Sequence, residues 1–376
     1  MFLALRELSF ARSRFVLMGA VVALIAVLMV LLSGLSAGLV NDGVSGLKRL
    51  PVTSLAFQHD VSKDAAFTRS VVEDTAVATW AGQPHVAAAA PLGVSLANAR
   101  TSRGLEIDFA IFGVEPSSFL NPRAAEGHGV TGPAQIAISP TAVDAGVRIG
   151  DTVTLEPSGT TLKVVGALAD QNTFGHVDIG YVDLRTWQEI HAGVRPGDPV
   201  PDRVYHEITA VGVRAADGAS VDLTAGDHAA GTTSMTLHAS FGASPGYAAE
   251  TATLQLIQAF LYAISALVVG AFFTVLTIQR RTEIAVLRAM GASTAYLLRD
   301  SLLQSLFLLT ASSATGVALG VAAGAALEST PMPFALETTP IVGATLLLIV
   351  LGVAGASVAV VRITRVDPLT ALGGSR

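Results

Sequence analysis

The sequence contains no cysteine and very few lysines. The absence of cysteine from all 376 residues excludes a disulfide framework, a thiolate metal site and a cysteine nucleophile. The three lysines are Lys48, Lys63 and Lys163. None of them follows a Gly-x-x-x-x-Gly stretch, as the lysine of a nucleotide-binding P-loop does. The chain is therefore not predicted to hydrolyse ATP by that route, and no other enzyme motif is present.

Charge is also scarce, since only 14% of the residues are charged and 51% are hydrophobic. A typical soluble domain carries about 25% charged residues. The uncharged stretches are the segments 15–40, 251–278, 301–327 and 338–361. A helix needs roughly 20 apolar residues to cross a bilayer core about 30 Å thick. We therefore predict four transmembrane helices. The first exceeds the apolar core of about 7–15 residues of a cleaved signal peptide, so we expect it to be retained.

The distribution of arginine predicts the orientation. Residues 1–14, the 279–300 loop and the 362–376 tail hold ten basic and four acidic residues. The 328–337 loop has two acidic residues and no basic one, and 41–250 has 13 basic and 23 acidic residues. Because basic loops stay in the cytoplasm, both termini and the 279–300 loop are predicted inside. The large 41–250 segment is predicted to be extracytoplasmic.

The predicted outer segment has the pattern of an α+β domain. The predicted elements are a polar helix over 62–80, strands over 105–115, 135–139 and 208–215, a hairpin over 150–168 and a helix over 182–190. All eight histidines lie in this segment. They show no metal-ligand spacing, so His176, His191, His206, His228 and His238 are expected to be solvated. The acidic balance argues against nucleic acid as a partner.

The loop between the second and third spans reads "RRTEIAVLRAMGAS", over 280–293. Ile284, Leu287, Arg288 and Gly291 fall on one helical stripe, and Gly291 suits the end of a short helix. Two interpretations fit this amphipathic element. It is either a turn on the membrane surface or a docking helix for a cytosolic partner.

The loop resembles the Arg-x-x-Glu-Ile-(Ala/Gly)-(Val/Ile)-Leu-(Arg/Lys)-Ala-(Leu/Met)-Gly-Ala-(Ser/Thr) signature of MacB/FtsX-type ABC transporter permeases. The tail "RITRVDPLTALGG" is similar to the closing motif of that family, and "AISPTAVDAGVRIGDTVTLEPSGTTLKVVGAL" resembles its outer domain. The N-terminal segment looks closest to the stand-alone DevC-like and haem-exporter (HrtB-like) permeases. The resemblance implies a homodimer with two copies of a separate cytosolic ATPase, which binds the ATP. The coupling helix would then hold Glu283, Ile284, Leu287, Arg288, Ala289 and Gly291.

The resemblance also implies the function. We expect the membrane subunit of an ABC exporter that expels an amphipathic or hydrophobic compound, with haem as the first candidate and no intrinsic cofactor. Ferric haem takes His, Met, Tyr or carboxylate ligands. The candidates near the expected membrane surface are His59, Tyr247, Glu250, Tyr262 and Met29, and Met235 with His238 is a weaker pair. The alternatives are an FtsX-like signalling subunit that regulates an extracytoplasmic hydrolase, and lipoprotein or peptide export.

Glycines at four-residue spacing occur in two of the spans. Gly34 and Gly38 lie in the first span, and Gly316, Gly320 and Gly324 lie in the third. This spacing lets helix backbones approach closely. For the third span we expect packing within the chain. For the first span, both packing within the chain and a homodimer contact are open.

Overall fold

Most of the length of four long helices forms one unit of the protein. In a computed structural model, the described residues are 12–279, 286, 290, 293–330 and 332–364. The long helices are α1 (Arg12–Lys48), α8 (Tyr247–Gln279), α9 (Thr294–Glu328) and α10 (Thr338–Thr364). Each contains a stretch that is long and apolar enough to cross a membrane. Together with the mixed-sheet domain described below, this confirms the predicted fold class.

The second unit, Leu39–Thr251, is called the outer domain here. Its helices are α2 (Ala66–Arg69), α3 (Thr75–Ala81), α4 (Pro140–Asp144), α5 (Leu184–His191), α6 (Leu223–Ala230) and α7 (Leu237–Ser240). Its strands are β1 (Ser54–Gln58), β2 (Val72–Glu73), β3 (Val86–Thr101), β4 (Glu106–Val114), β5 (Ala124–Gly127), β6 (Gln135–Ile138), β7 (Thr152–Glu156), β8 (Thr161–Leu168), β9 (Thr173–Phe174), β10 (Val177–Asp183), β11 (Glu207–Ile208), β12 (Ala210–Ala215) and β13 (Thr232–Thr236).

Eleven of these strands form one sheet, and β2 and β11 form a separate pair. The main order is β13-β1-β12-β3-β4-β10-β6-β8-β5, with β7 beside β3 and β8, and β9 beside β10. The pairs β4–β10 and β6–β8 are parallel, and the other pairs are antiparallel. The hairpin β7–β8 and the strands β4 and β6 confirm the predicted elements in those segments, and α5 confirms the predicted short helix.

The central strands are buried on both faces of the sheet. Along β4, Phe109 and Ile111 belong to one apolar cluster, whereas Ala110 and Phe112 belong to another. A strand covered on both faces has a nearly continuous apolar sequence rather than an alternating one. This explains the run "DFAIFGV" in β4. Trp187 of α5 is 1% exposed and covers one face, and its Nε1 donates a hydrogen bond to Ser95 Oγ at 3.0 Å.

The helices of the first and second spans are longer than their apolar runs. Helix α1 continues from the predicted span end at residue 40 to Lys48, with non-helical geometry at Val44 (φ −143°). Val44 and Leu47 are completely buried in the core of the outer domain. The helix therefore changes its surroundings along its length, from an apolar run to a terminal stretch that packs on the sheet.

The predicted helix over 62–80 is wrong, because the chain extends in its middle. After α2, Ser70 adopts an extended conformation, and Val72 pairs with Ile208 as β2. The hydroxyl of Ser70 accepts the N–H of Gln58 at 2.8 Å and donates to the carbonyl of Thr209 at 2.6 Å. These two bonds fix Ser70 to distant strands, and the chain resumes a helix only at α3.

The glycines of the third span pack against the first span of the same chain. A Cβ on Gly316 would lie 2.3 Å from the carbonyl of Ala23, and one on Gly320 would lie 2.8 Å from Val30. Gly324 packs instead on the 328–337 loop, since a Cβ there would lie 2.8 Å from Leu336. This is the packing within the chain that was expected for span three.

The glycines of the first span contact the 328–337 loop. A Cβ on Gly34 would lie 2.2 Å from the ring of Phe334, and one on Gly38 would lie 2.3 Å from the carbonyl of Pro333. The carbonyl of Gly34 also accepts the N–H of Ala335 at 3.0 Å. The space that a second copy would need at these glycines is therefore filled from within the chain.

Candidate functional site

A histidine at the tip of a tight hairpin is the centre of a polar cluster in the outer domain. Strands β9 and β10 pair through Phe174 and Val177, which leaves Gly175 and His176 as a two-residue loop. Both residues have positive φ, 58° and 65°. This is the geometry of a type I′ turn, in which glycine is favoured and a residue with a Cβ is strained. The turn directs the imidazole of His176 out of the end of the hairpin.

The imidazole lies between two carboxylates that come from the two long helices at the ends of the domain. Nδ1 of His176 is 2.9 Å from Asp42, near the end of α1, and Nε2 is 3.0 Å from Glu250, in the first turn of α8. We call Asp42, His176 and Glu250 the junction cluster. When the ring is protonated, it donates one hydrogen bond to each carboxylate. The cluster therefore joins the end of α1, the hairpin and the start of α8.

Hydrogen bonds from uncharged side chains support the same arrangement. Ser45 Oγ accepts the N–H of Thr173 at 2.9 Å and lies 2.6 Å from the Thr173 hydroxyl. The amide of Gln171 donates to Asp42 at 3.1 Å. The hydroxyl of Ser244, just before α8, donates to the carbonyl of Gly43 at 3.0 Å. Because several of these partners are buried, the two helix ends are held to the hairpin by fixed contacts rather than by a single exposed ion pair.

The surroundings of His176 favour its charged form. Partial burial alone would lower the pKa of His176, but the hydrogen bonds and charges of Asp42 and Glu250 together outweigh it and raise the pKa above its ordinary value of 6.5. The expectation that His176 is a solvated surface residue is wrong. Its partners lie 134 and 74 residues away in the sequence, so no local spacing could have indicated them.

The remaining histidines have separate surroundings. His191 stacks on Trp187 with ring centroids 4.7 Å apart, and His206 lies 3.0 Å from Asp74. His228 is exposed, as expected. His238 is exposed beside Phe241, whereas Met235 is buried in the core, so the weaker ligand pair does not converge. Within the described ranges, no group of three or more His, Asp or Glu residues is arranged to hold a metal ion.

Three of the haem-ligand candidates lie in the outer domain. His59 is exposed and 3.3 Å from Asp60. Tyr247 is half-buried, with its ring centroid 6.3 Å from that of Phe241. Glu250 belongs to the junction cluster, where its carboxylate already has His176 as a partner. The structure therefore places His59 by itself, whereas Tyr247 and Glu250 share the first turn of α8.

The other two candidates lie among the long helices. Met29 is 5% exposed in a cluster with Ile25, Ala26, Ala344 and Leu348. Tyr262 and Leu261 pack against this cluster. Beside it, an apolar groove of about 550 Å³ separates the first and second spans. All its lining residues are apolar: Leu28, Leu31, Leu32, Leu35, Ile257, Phe260, Leu261, Ile264, Leu327, Met332 and Phe334. Leu261 therefore belongs to both the groove and the cluster of Met29 and Tyr262.

The predicted coupling helix lies outside the described residues. Its six positions are Glu283, Ile284, Leu287, Arg288, Ala289 and Gly291. Helix α9 begins after this loop with Ser293 as its N-cap, whose hydroxyl accepts the N–H of Tyr296 at 3.2 Å.

The chain is similar over its whole length to ABC transporter permeases. It is 24% identical over its whole length to HrtB of Staphylococcus epidermidis, a proposed haemin transport system permease, and covers 99% of that protein. It is 24% identical, with the same coverage, to an uncharacterised ABC transporter permease of Mycobacterium tuberculosis. Two solved domains are also similar: the extracellular domain of YknZ from Gram-positive bacteria (13% identity, TM-score 0.36, 49% of this chain and 98% of that domain) and the periplasmic region of MacB from Actinobacillus actinomycetemcomitans (12%, 0.37, 50% and 90%).

The C-terminal part matches a described family. Residues 256–368, which include the second, third and fourth spans, match the FtsX-like permease C-terminal family. An ABC transporter permease implies a partner ATPase subunit. The chain is therefore similar to MacB/FtsX-type ABC transporter permeases, and its four long apolar helices are those of a multi-pass membrane protein.

Proposed function

We propose that this chain is the permease of an ABC exporter that removes a hydrophobic or amphipathic compound from the membrane, with haem as the first candidate. The observation that carries the proposal is the groove of about 550 Å³ between the first and second spans, because every residue that lines it is apolar. Ligand sites of this size that bury apolar molecules are lined mainly by hydrophobic side chains. The similarity to a proposed haemin transport permease over the whole chain supports haem as the compound.

The permease is proposed to act as a homodimer with two copies of a cytosolic ATPase. Both termini and the 279–300 loop would be cytoplasmic, and Arg288 would lie in the helix that contacts the ATPase. ATP binding can move the permease only through contacts that differ between two states. In the outer domain, the junction cluster would receive this movement, since it holds the end of α1 and the start of α8 to one hairpin.

Met29 and Tyr262 are the proposed haem ligands, because Met29 belongs to the apolar cluster against which both Tyr262 and the groove residue Leu261 pack. A Met or Tyr ligand beside the groove would fix the iron, while the apolar side chains of the groove cover the macrocycle. Glu250 is a weaker choice, because the Glu250 carboxylate already binds His176.

The proposal is tested by haemin binding to the purified full-length permease in neutral detergent, followed by the Soret band. Leu28→Trp would fill the groove and weaken haemin binding by roughly tenfold or more. Leu346→Trp is the matched control, because Leu346 is 58% exposed on the fourth span and does not line the groove. Met29→Leu and Tyr262→Phe would shift the Soret band without changing the shape of the groove. Equal haemin affinity of the Leu28 and Leu346 variants would contradict this site.

The coupling is tested in cells. A strain without this permease would become sensitive to haem, and Arg288→Glu would produce the same sensitivity because the ATPase could no longer act on the permease. The variant would still bind haemin when purified. Unchanged haem tolerance in both strains would exclude haem as the exported compound.

A further inference from the structure

A second cleft lies within the outer domain and, unlike the apolar groove, is lined partly by charged side chains. It has a volume of about 650 Å³ and lies where α1 ends, next to the segments 119–123 and 168–172. Three of its lining side chains are basic, Lys48, Arg49 and Arg123, and only Asp170 is acidic. The outer segment as a whole has 13 basic and 23 acidic residues. The cleft is therefore a local concentration of positive charge on an acidic domain.

Two of the three basic residues have no acidic partner in the described part of the chain. Arg49 forms an ion pair with Asp170 at 2.9 Å, and its Nε donates to the carbonyl of Gln171 at 3.0 Å. Lys48 and Arg123 form no ion pair within the same residues. The folded domain thus supplies a fixed guanidinium at Arg49 and two cations that are free to bind an external anion.

A buried tyrosine supplies an independent sign of a ligand. Tyr181 of β10 lines the cleft although only 2% of the residue is exposed. Its ring packs edge-on against Phe112, with centroids 5.6 Å apart. The Tyr181 hydroxyl forms no hydrogen bond with another residue in the part of the chain that the structure describes. It is not among the fully enclosed unpartnered polar atoms there, so it is open to the cleft that Tyr181 lines. A tyrosine hydroxyl in such a position usually has a partner. A ligand oxygen in the cleft would supply that partner.

The other walls of the cleft are apolar. They include Leu50, Phe119 and Leu168. The ring of Phe119 is also held in place, because the guanidinium of Arg214 lies 4.4 Å from its centroid. A small inorganic anion would leave these surfaces in contact with water, whereas an anion attached to an alkyl chain would cover them.

We propose that this cleft binds the oxyanion group of an amphiphile, with Lys48 and Arg123 facing the charge, the Tyr181 hydroxyl donating to one oxygen and the leucine and phenylalanine walls covering the adjoining carbon chain. Phosphate and carboxylate oxygens are the acceptors that guanidinium groups bind best. The site is distinct from the apolar groove, which has no charged residue in its lining. The proposed oxyanion site does not depend on haem being the exported compound.

The experiment uses the full-length permease in nanodiscs of phosphatidylcholine, titrated by calorimetry with hexyl phosphate. Inorganic phosphate and hexyl glucoside are the comparison ligands, which carry only the charge or only the chain. Hexyl phosphate is expected to bind more tightly than either. Arg123→Gln and Tyr181→Phe should each weaken binding by roughly tenfold, because each loses a hydrogen bond to a charged group. Equal binding of inorganic phosphate and hexyl phosphate would overturn the assignment to an amphiphile.

Matched variants separate binding from folding. Arg195→Gln removes an exposed arginine of the same domain away from the cleft, and Tyr205→Phe removes a hydroxyl that donates to Glu189 at 2.7 Å. Both should leave the affinity within about twofold of wild type. If Arg123→Gln and Tyr181→Phe, with unchanged melting temperatures, bind hexyl phosphate as these controls do, or if wild type does not bind it, the site is refuted.

Nanodiscs that contain phosphatidylglycerol identify the source of the ligand. If the lipid headgroup occupies the cleft, hexyl phosphate will bind more weakly in these nanodiscs than in phosphatidylcholine alone, and Arg123→Gln will remove that difference. If hexyl phosphate binds equally in both, the cleft takes a free amphiphile. Each result supports the site and assigns its occupant to one source.

Discussion

The outer domain and the long helices use different residues to reach close packing. In the outer domain, the largest fully buried side chains are aromatic and include Trp80, Trp187, Phe109 and Phe112. Among the long helices, several close approaches occur at glycines. Besides Gly316, the backbones of Gly270 and Gly355 come together, since a Cβ on Gly355 would lie 3.4 Å from the nitrogen of Gly270. One chain therefore shows two ways of building a core.

This difference in packing follows from the two environments, which are water for the outer domain and lipid for the long helices. Burial of an aromatic side chain from water contributes free energy in proportion to its apolar area. Between helices that are already surrounded by lipid, that contribution is nearly absent, and close contact between small residues replaces it. We therefore expect the outer domain to be sensitive to loss of volume and the membrane unit to be sensitive to gain of volume.

The largest expected effect is a loss of volume in the outer domain. Trp187→Ala would remove a ring that packs on the backbone of Gly93 and Gly113 and would lower the free energy of unfolding by about 3–5 kcal/mol. The measurement is the melting temperature of the purified permease, with far-UV circular dichroism to follow the sheet. Leu96→Ala is the control, because Leu96 is 52% exposed. Similar melting temperatures for the two variants would contradict the assigned role of Trp187.

A gain of volume in the membrane unit should have the next largest effect. Gly316→Leu would place a side chain against the backbone of Ala23, which cannot move aside as a flexible side chain would. Overpacking of this kind costs about 1–3 kcal/mol or more. The readout is the yield of monodisperse protein and its melting temperature. Gly343→Leu adds the same side chain to the fourth span, where a Cβ would have no described atom within 4 Å, and it should behave as wild type.

Features of the structure that depend on residues close together in the sequence could be predicted, whereas features that depend on contacts between distant residues could not. The four spans could be predicted because each is a continuous run without charge. The helix over 62–80 failed because Ser70 bonds to Gln58 and Thr209, and 139 residues separate Ser70 from Thr209. The glycine pair Gly270 and Gly355 was missed for the same reason, since the spacing within each helix gives no sign of the partner.

The candidate site follows the same rule. Glu250 could be selected from the sequence because it precedes a span, but its partner could not. His176 has no neighbouring metal ligand or acidic residue at helical spacing, and only the type I′ turn of Gly175 and His176 brings it between Asp42 and Glu250. The apolar groove was not predicted either, because its lining comes from three separate segments of the chain.

The junction cluster gives a smaller and pH-dependent effect. His176→Gln should lower the stability of the outer domain by about 1–2 kcal/mol at pH 6, where the protonated ring donates to both carboxylates. Because the folded-state pKa of His176 is raised, this contribution is complete below the unfolded pKa of about 6.5 and is lost as the pH rises through the folded value. The titratable groups around the ring are Asp42, Glu250 and the nearby Asp178 and Tyr247.

The measurement is the melting temperature of wild type and His176→Gln across pH 5.5–9. The difference in melting temperature between wild type and His176→Gln should become smaller as the pH rises above the folded-state pKa of His176. His228→Gln is the control, since His228 is exposed in the same domain and forms no ion pair with any residue that the structure describes. A gap that stays constant with pH would show that His176 acts through packing alone.

The last comparison is between two buried serines, one from each unit, and the smallest expected effect is that of the serine in the third span. Ser70 is 4% exposed with two hydrogen bonds, so Ser70→Ala should cost about 1–2 kcal/mol by leaving Gln58 N–H and the Thr209 carbonyl without that partner. Ser313 in the third span is fully buried, and its hydroxyl has no partner among the described residues. Ser313→Ala should therefore leave the melting temperature unchanged or raise it slightly, because the alanine removes a polar group that gains nothing from burial. Faster hydrogen exchange at the Gln58 amide would identify the effect of Ser70→Ala directly. An equal loss of stability in both variants would contradict the prediction, because it would require a hydrogen bond from the Ser313 hydroxyl.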